Sequence, residues 1–120
     1  MKGIVITTEN KMTVHDFPDV SIYKATSNVI GGFEIVHPRN LPRPFCMIVD
    51  DNGLLKELPL NLTGSYLYGM HEHGAPIVGD IVLLKDVMTS DGPDVGWLTD
   101  EDVKTLTAFI EKATGGAVRA

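Results

Sequence analysis

A proline-stiffened segment carries the cationic side chains of this chain that could do chemistry. The run His37-Pro38-Arg39-Asn40-Leu41-Pro42-Arg43-Pro44 places two guanidinium groups and an imidazole on one short loop. Guanidinium groups bind carboxylates and phosphates through paired hydrogen bonds, and a stiff loop loses little entropy on binding. We therefore expect Arg39 and Arg43, together with His37, to bind a small anion. The alternative is that both arginines pair with the chain's own excess of Asp and Glu.

Polar side chains near residue 60 could orient such a ligand. Asn61 follows Leu58-Pro59-Leu60, and Tyr66 and Tyr68 come shortly after it. Ligand pockets are mostly apolar with a few convergent polar groups, so Asn61 and Tyr68 are expected ligand contacts. Asn is also a preferred helix N-cap and turn residue, and this structural role for Asn61 is the favoured alternative.

The run His71-Glu72-His73 has part of the pattern of a metal site. Zinc sites on a helix use two His at i and i+4, whereas the i, i+2 spacing here would suit a strand, on which alternate side chains share a face. A metal-dependent hydrolase is the hypothesis that this segment supports. A solvent-exposed loop is the favoured alternative, and we predict no metal and no cofactor. The additional ligands would have to come from Asp80, His37 or His15.

Acidic residues dominate the last third of the chain. A protein that imitates the phosphate track of DNA is one interpretation, but acidic runs of this size are usually solvated surface. The pair Asp50-Asp51 is likewise better explained by turn formation than by acid–base catalysis, because adjacent residues of a strand face opposite ways. The acids of the last third are Asp86, Asp91, Asp94, Asp100, Glu101, Asp102 and Glu111, against Lys104 and Lys112.

Composition narrows the function further. The chain has 120 residues, a net charge of −6 and one cysteine. The negative charge argues against direct binding to nucleic acid or to an anionic membrane. Cys46 lies in an apolar run and is expected to be a buried, free thiol, which fits a reduced cytoplasm. No signal peptide, phosphate-binding loop, dinucleotide fingerprint or nucleophile elbow is visible, so binding is favoured over catalysis.

Short strands and helices would position these side chains. Alternation and turn residues predict strands over residues 2–7, 12–17, 33–37, 45–50, 54–58 and 77–85. The segment 51–53, Asp-Asn-Gly, predicts the hairpin turn that joins two of them. Residues 86–96 are expected to be a loop.

Two main helices are predicted. The first begins at an N-cap on Asp19 and ends at Gly31, and the second begins at a capping box formed by Thr99 and Asp102. Residues 61–69 fit either a short helix or an irregular turn. The chain is thus expected to be α+β, a single domain whose antiparallel or mixed sheet of about five to six strands is packed by these helices. Its core spans about 2–113 and residues 114–120 form a frayed tail.

Several of these segments resemble a known family. They are the runs 29–36 (Val-Ile-Gly-Gly-Phe-Glu-Ile-Val), 47–53, 58–61 (Leu-Pro-Leu-Asn) and 77–79. They are similar to the family catalogued as domain of unknown function 3846, which is common in bacteriophages, plasmids and their hosts. The loop 37–44 and the segment around 70–74 depart from the family's pattern.

The resemblance implies an accessory protein of a mobile element in a bacterial cytoplasm. Small phage proteins often counter host defences, either by sequestering a signalling nucleotide or by binding a defence protein. We therefore expect a non-enzymatic binding protein whose partner is a small anionic ligand or a host protein. An exposed edge at residues 4–6 could also pair two copies in a homo-oligomer.

Overall fold

The structure, a computed structural model, describes residues 1–69 and 76–118. An antiparallel sheet organises these residues. Its strand order is β2-β1-β5-β4-β3, and β6 pairs with the second half of β5. Three helices complete the described part of the chain, which confirms the α+β class. The strands are β1 (Lys2–Ile6), β2 (Met12–Asp16), β3 (Glu34–Val36), β4 (Phe45–Val49), β5 (Ile81–Thr89) and β6 (Gly92–Gly96).

The long strand β5 lies at the centre of the sheet. Its first half is antiparallel to both β1 and β4, with Leu83 opposite Ile4 on one side and Met47 on the other. Residues 81–84 are consequently without solvent exposure, as expected of a strand that is covered on both faces. The predicted bounds 77–85 are wrong, because this strand begins and ends four residues later.

The helices α1 (Ile22–Ile30), α2 (Leu62–Tyr68) and α3 (Asp100–Ala113) cover both faces of the sheet. Ile81 and Lys85 share one face because they alternate along β5. Gly64 of α2 lies against Ile81, and Asp102 of α3 is ion-paired with Lys85. Ile35 belongs to the opposite face by its register in β3, and it lines a cavity together with the start of α1.

Local side-chain bonds set the helix ends. The side chain of Ser21 caps α1 by accepting a hydrogen bond from the Lys24 N–H at 3.2 Å, so the predicted cap at Asp19 is wrong. The helix closes at Gly31 with φ 90°, as predicted. The capping box of Thr99 and Asp102 is confirmed at the start of α3, and such caps contribute about 1 kcal/mol.

Residues 54–58 do not form the predicted strand. Residues 51–57 make successive turns, because the Asp50 carboxylate accepts a hydrogen bond from the Asn52 N–H at 2.9 Å and pairs with the Lys56 ammonium at 2.7 Å. These side-chain bonds compete with strand pairing. The turns leave Leu54 and Leu55 exposed.

Residues 86–96 are not the predicted loop, since β5 and β6 form a hairpin there. Its turn is held by the Thr89 hydroxyl, which donates to the Gly92 carbonyl at 2.8 Å and accepts from the Asp91 N–H. Gly92 has φ 106°, a conformation that other residues rarely adopt.

The expectation of a frayed tail is wrong for its first residues. Val118 is almost fully buried, and its N–H donates to the Thr114 hydroxyl at 3.2 Å. Among residues 1–69 and 76–118, no helix combines the length and apolar character that crossing a membrane requires.

Candidate anion-binding site

The loop that joins β3 to β4 is fastened to α2. The Asn40 N–H donates to the Leu67 carbonyl at 2.9 Å, and the Asn40 side-chain amide donates to the Tyr66 carbonyl at 2.8 Å. Leu41 is buried in the core. The Arg43–Pro44 peptide bond is cis. Arg39 and Arg43 thus flank an anchored centre, which holds the two ends of the loop at a defined separation.

Three of the five predicted ligand residues surround one cavity. His37, Arg39 and Arg43 line a space of about 490 Å³, which falls within the range of small-molecule sites. Two of these side chains are permanent cations. The remaining lining residues are Pro38, Leu41, Phe45 and Asp86.

Asp86 lines this cavity, and it is not connected with the loop in the sequence analysis. Its carboxylate lies 3.0 Å from His37 Nε2, and both side chains are partly exposed to solvent. Its N–H donates to the Pro44 carbonyl at 2.7 Å, which joins β5 to the end of the loop. Because the predicted strand ends at residue 85, the prediction places Asp86 in a loop. Continued alternation along β5 could have placed Asp86 on the same face as Leu84.

Arg43 is the cation of the cavity whose side chain is most available to bind a ligand. Within the described ranges 1–69 and 76–118, its exposed side chain makes no hydrogen bond or ion pair. The alternative that both arginines pair with the chain's own acids therefore does not hold for Arg43 in this part of the chain. A guanidinium that is positioned by its backbone and still accessible is suited to binding an anion.

Asn61 serves the fold instead of the cavity. Its side chain is completely buried, and its amide donates to the Ile6 carbonyl at 3.0 Å and to the Gly79 carbonyl at 2.9 Å. Its Oδ1 accepts from the Gly64 N–H at 2.8 Å, which caps α2. The amide is thus occupied on both ends, and the favoured structural interpretation of Asn61 describes its geometry.

Tyr68 lies on a second cavity, of about 450 Å³. This space is bordered by Val49 and Ile77 on its apolar side and by Glu34 and Asp51 on its acidic side. An anion would meet carboxylates there. Of the five predicted ligand residues, the cavity at Arg43 therefore contains three, and Asn61 and Tyr68 lie elsewhere.

The hypothetical metal ligands do not form a described cluster. His71 and His73 lie outside the described residues. Asp80 accepts a hydrogen bond from the Thr8 N–H at 3.0 Å, and the His15 ring packs on Phe17 with 4.5 Å between the ring centroids. Within residues 1–69 and 76–118 there is no group of three or more His, Cys, Asp or Glu side chains arranged to bind a metal.

Asp50 and Asp51 hold two segments of chain together. The Asp51 carboxylate accepts from the Phe33 N–H at 3.2 Å, and a side chain at Gly32 would collide with both carboxylates. Burial raises the pKa of the Asp50 carboxyl, but hydrogen bonds from Lys56 and the Asn52 N–H outweigh burial and lower the pKa overall. Both acids therefore act in the turn, as the sequence favours.

The acidic last third is partly neutralised by the chain itself. Asp100 is ion-paired with Lys2, and Asp102 with Lys85 at 2.7 Å. Burial raises the pKa of the Asp102 carboxyl, but hydrogen bonds from Lys85 and Thr99 lower it overall. Two of the seven acids thus support helix α3 and the sheet, and they do not extend a free anionic surface.

Cys46 is a buried thiol, as its apolar neighbours predict. It is without solvent exposure, and burial, with a smaller contribution from Asp86, raises its pKa to about 12. A thiol of this kind is protonated at neutral pH and a poor nucleophile.

Comparison with known proteins places the chain in a family. The family model described as "Domain of unknown function (DUF3846)" matches residues 1–111. The chain belongs to this family. No curated protein and no solved structure matches it.

Proposed function

We propose that this member of the DUF3846 family is a binding protein that holds a small anion, without converting it chemically, in the cavity between His37, Arg39 and Arg43. The observation that carries the proposal is the convergence of these three side chains on one space, with Arg43 accessible. The exposed Arg43 guanidinium makes no hydrogen bond or ion pair among the described residues, and the one carboxylate among the described lining residues, Asp86, is in contact with His37. The cavity therefore favours a negative occupant.

The dimensions and chemistry of the cavity favour a phosphate-bearing molecule larger than phosphate itself. A volume of about 490 Å³ exceeds what one inorganic ion needs and suits a drug-sized ligand. Guanidinium groups bind phosphoryl oxygens through two parallel hydrogen bonds. Pro38, Leu41 and Phe45 line the rest of the cavity but are themselves buried, so they offer the uncharged part of a ligand only a small apolar surface.

The biological setting is a second part of the same proposal. The family resemblance points to phages and other mobile elements in a bacterial cytoplasm, where sequestering a nucleotide signal would counter a host defence. A protein that binds and holds such a signal needs a site with positive charge, and the cavity at Arg43 supports this role.

The test is calorimetric titration of the purified chain with a panel of mononucleotides, cyclic dinucleotides and inorganic phosphate. One member of the panel is expected to bind with one site per chain. Arg43→Ala should then weaken binding by about 1.5–3 kcal/mol, the range for hydrogen bonds to charged groups. Arg43→Lys should restore only part of this loss, because an ammonium group lacks the fork geometry.

Lys24→Ala is the matched control, since Lys24 is an exposed cation on α1 that does not line the cavity. The Lys24→Ala variant should bind the same anion with the affinity of the wild type. Native mass spectrometry of freshly purified protein gives an independent result, because a retained nucleotide appears as added mass. If the wild type and Arg43→Ala bound the anion equally well, this cavity would not be the anion-binding site.

A further inference from the structure

Strand β3 forms one border of the sheet, and no described strand pairs with its outer side. Among residues 1–69 and 76–118, its only strand neighbour is β4. Ile35, at its middle, is more than one-third exposed. An unpaired strand edge is a template for a further strand, so the surroundings of β3 decide what could be added there.

An apolar cavity lies on one face of this edge. It is the space of about 450 Å³ next to Tyr68, and the side chains of Glu34 and Val36 reach it from β3. Its rim includes Leu54 and Leu55, and Leu55 is 85% exposed. It is unusual for leucines to be this exposed and also to cluster beside a concave surface.

Two further cavities lie on the other face of the same edge, of about 510 and 440 Å³. Ile35 and Val95 line both of them. Met88 borders the first. The second is bordered by Tyr23 and Phe33, whose rings contact each other at a tilt of 60° with 5.2 Å between the centroids. Apolar concavities thus flank β3 above and below the sheet.

The charge around all three cavities is negative. No Lys or Arg occurs among their described lining residues, whereas five carboxylates do. Asp50 and Asp86 have a basic partner, Lys56 and His37 respectively. Glu34 and Asp94 are exposed, each on a different face of the edge. A basic occupant would meet a carboxylate on either side.

We propose that the β3 edge binds an extended segment of a partner protein that carries both apolar and basic side chains on each of its two faces, by adding it as a further strand. Successive side chains of a strand point to opposite faces, so one segment would reach the cavities on both sides of β3. Main-chain hydrogen bonds would supply affinity and the cavities specificity. A second copy of this chain fits less well, because its net charge of −6 would face the same carboxylates. This inference does not rest on the anion site.

The probe is a displayed library of random nine-residue peptides, selected on the immobilised wild-type chain and then depleted on the double variant Glu34→Lys/Leu55→Ser. Enriched peptides are expected to contain apolar residues and Lys or Arg at both odd and even positions, so that each face of the added strand carries both kinds of side chain. In solution, each single variant should weaken the best peptide by about fivefold or more, the effect of about 1 kcal/mol. Glu9→Lys and Leu62→Ser are the matched controls, because both residues are exposed and lie outside the three cavities.

Hydrogen exchange locates the bound peptide. Slower exchange of the β3 amides upon addition of the best peptide would support strand addition. Four results would overturn the proposal: no enriched peptide, enrichment of acidic peptides, peptide binding that is insensitive to Glu34→Lys and Leu55→Ser, or protection confined to other strands. A homodimer that shields β3 at the working concentration would also overturn it, and would identify the second copy as the occupant.

Discussion

Polar side chains at the two ends of α2 have opposite roles. At the N-terminal end, Asn61 is buried and makes three hydrogen bonds to the backbone. Near the C-terminal end, Asn40 fastens the β3–β4 loop to the Tyr66 and Leu67 carbonyls, and this attachment leaves Arg43 exposed at a cavity. A polar group whose partners all lie inside the chain supports the fold. One that is positioned beside a cavity and remains accessible can serve a ligand.

The strongest test of this contrast is Asn61→Ala. The substitution leaves the Ile6 and Gly79 carbonyls and the Gly64 N–H without their partner, and unpaired buried groups cost about 1–3 kcal/mol each before relaxation. We expect a loss of about 3 kcal/mol in the free energy of unfolding, measured by urea denaturation. Asn28→Ala, an exposed position of α1, should change it by less than about 0.5 kcal/mol. A loss below about 1 kcal/mol for Asn61→Ala would contradict the structural role.

Gly32→Ala extends the contrast to the carboxylates of Asp50 and Asp51. A Cβ at this position would lie 2.7 Å from Asp51 Oδ1 and closer still to the Asp50 carboxylate. Because Asp50 is held by Lys56 and the Asn52 N–H, it cannot move away freely, and we expect a loss of about 2 kcal/mol in denaturation experiments. Asp51→Ala, which removes only the bond to the Phe33 N–H, should cost less than Gly32→Ala. The reverse order would mean that the turn adapts to a side chain.

The pH dependence of stability tests the Asp50–Lys56 contact. The pKa of Asp50 is lowered from its ordinary value of 3.8. Its contribution is therefore complete above that value and is lost as the pH falls through the lower pKa of the folded state. Urea denaturation between pH 7 and pH 3 should show a smaller acid loss in Asp50→Asn than in the wild type. Parallel pH profiles would show that the contact contributes nothing.

The smallest expected effect on stability belongs to Arg43→Ala. Arg43 is exposed and makes no hydrogen bond or ion pair among the residues that the structure describes, so the free energy of unfolding should change by less than about 0.5 kcal/mol. The same substitution is expected to weaken anion binding instead. If Arg43→Ala destabilised the chain as much as Asn61→Ala, the distinction between the two ends of α2 would fail.

Elements with local signals are predictable from this sequence. The strands β1 and β2, the closure of α1 at Gly31 and the capping box of Thr99 and Asp102 depend on neighbouring residues and are confirmed. The hairpin of β5 and β6 also has a local signal, Asp91-Gly92, which is typical of a hairpin turn. Pro93 follows it at the start of β6, a position that an edge strand tolerates.

Features that depend on distant residues are not predictable in the same way. Residues 54–58 have the composition of a strand, but Lys56 is held in the turns by Asp50 and by the distant Gly31 carbonyl, to which its ammonium donates at 3.0 Å. The candidate site shows the same division. The loop that carries His37, Arg39 and Arg43 is recognisable by its prolines, whereas Asp86 joins it from a strand more than forty residues later in the chain. The Asn61 amide likewise donates to the Ile6 carbonyl of β1, which is distant in the sequence.

The central position of β5 also has a consequence for synthesis on the ribosome. The β1–β2 and β3–β4 pairs are joined in the sheet only through β5, which comes from the last third of the chain. Isolated two-stranded pairs are marginally stable in water, and distant pairings slow folding. The nascent chain should therefore remain sensitive to proteases until β5 has left the exit tunnel, and then acquire its sheet in one late cooperative step.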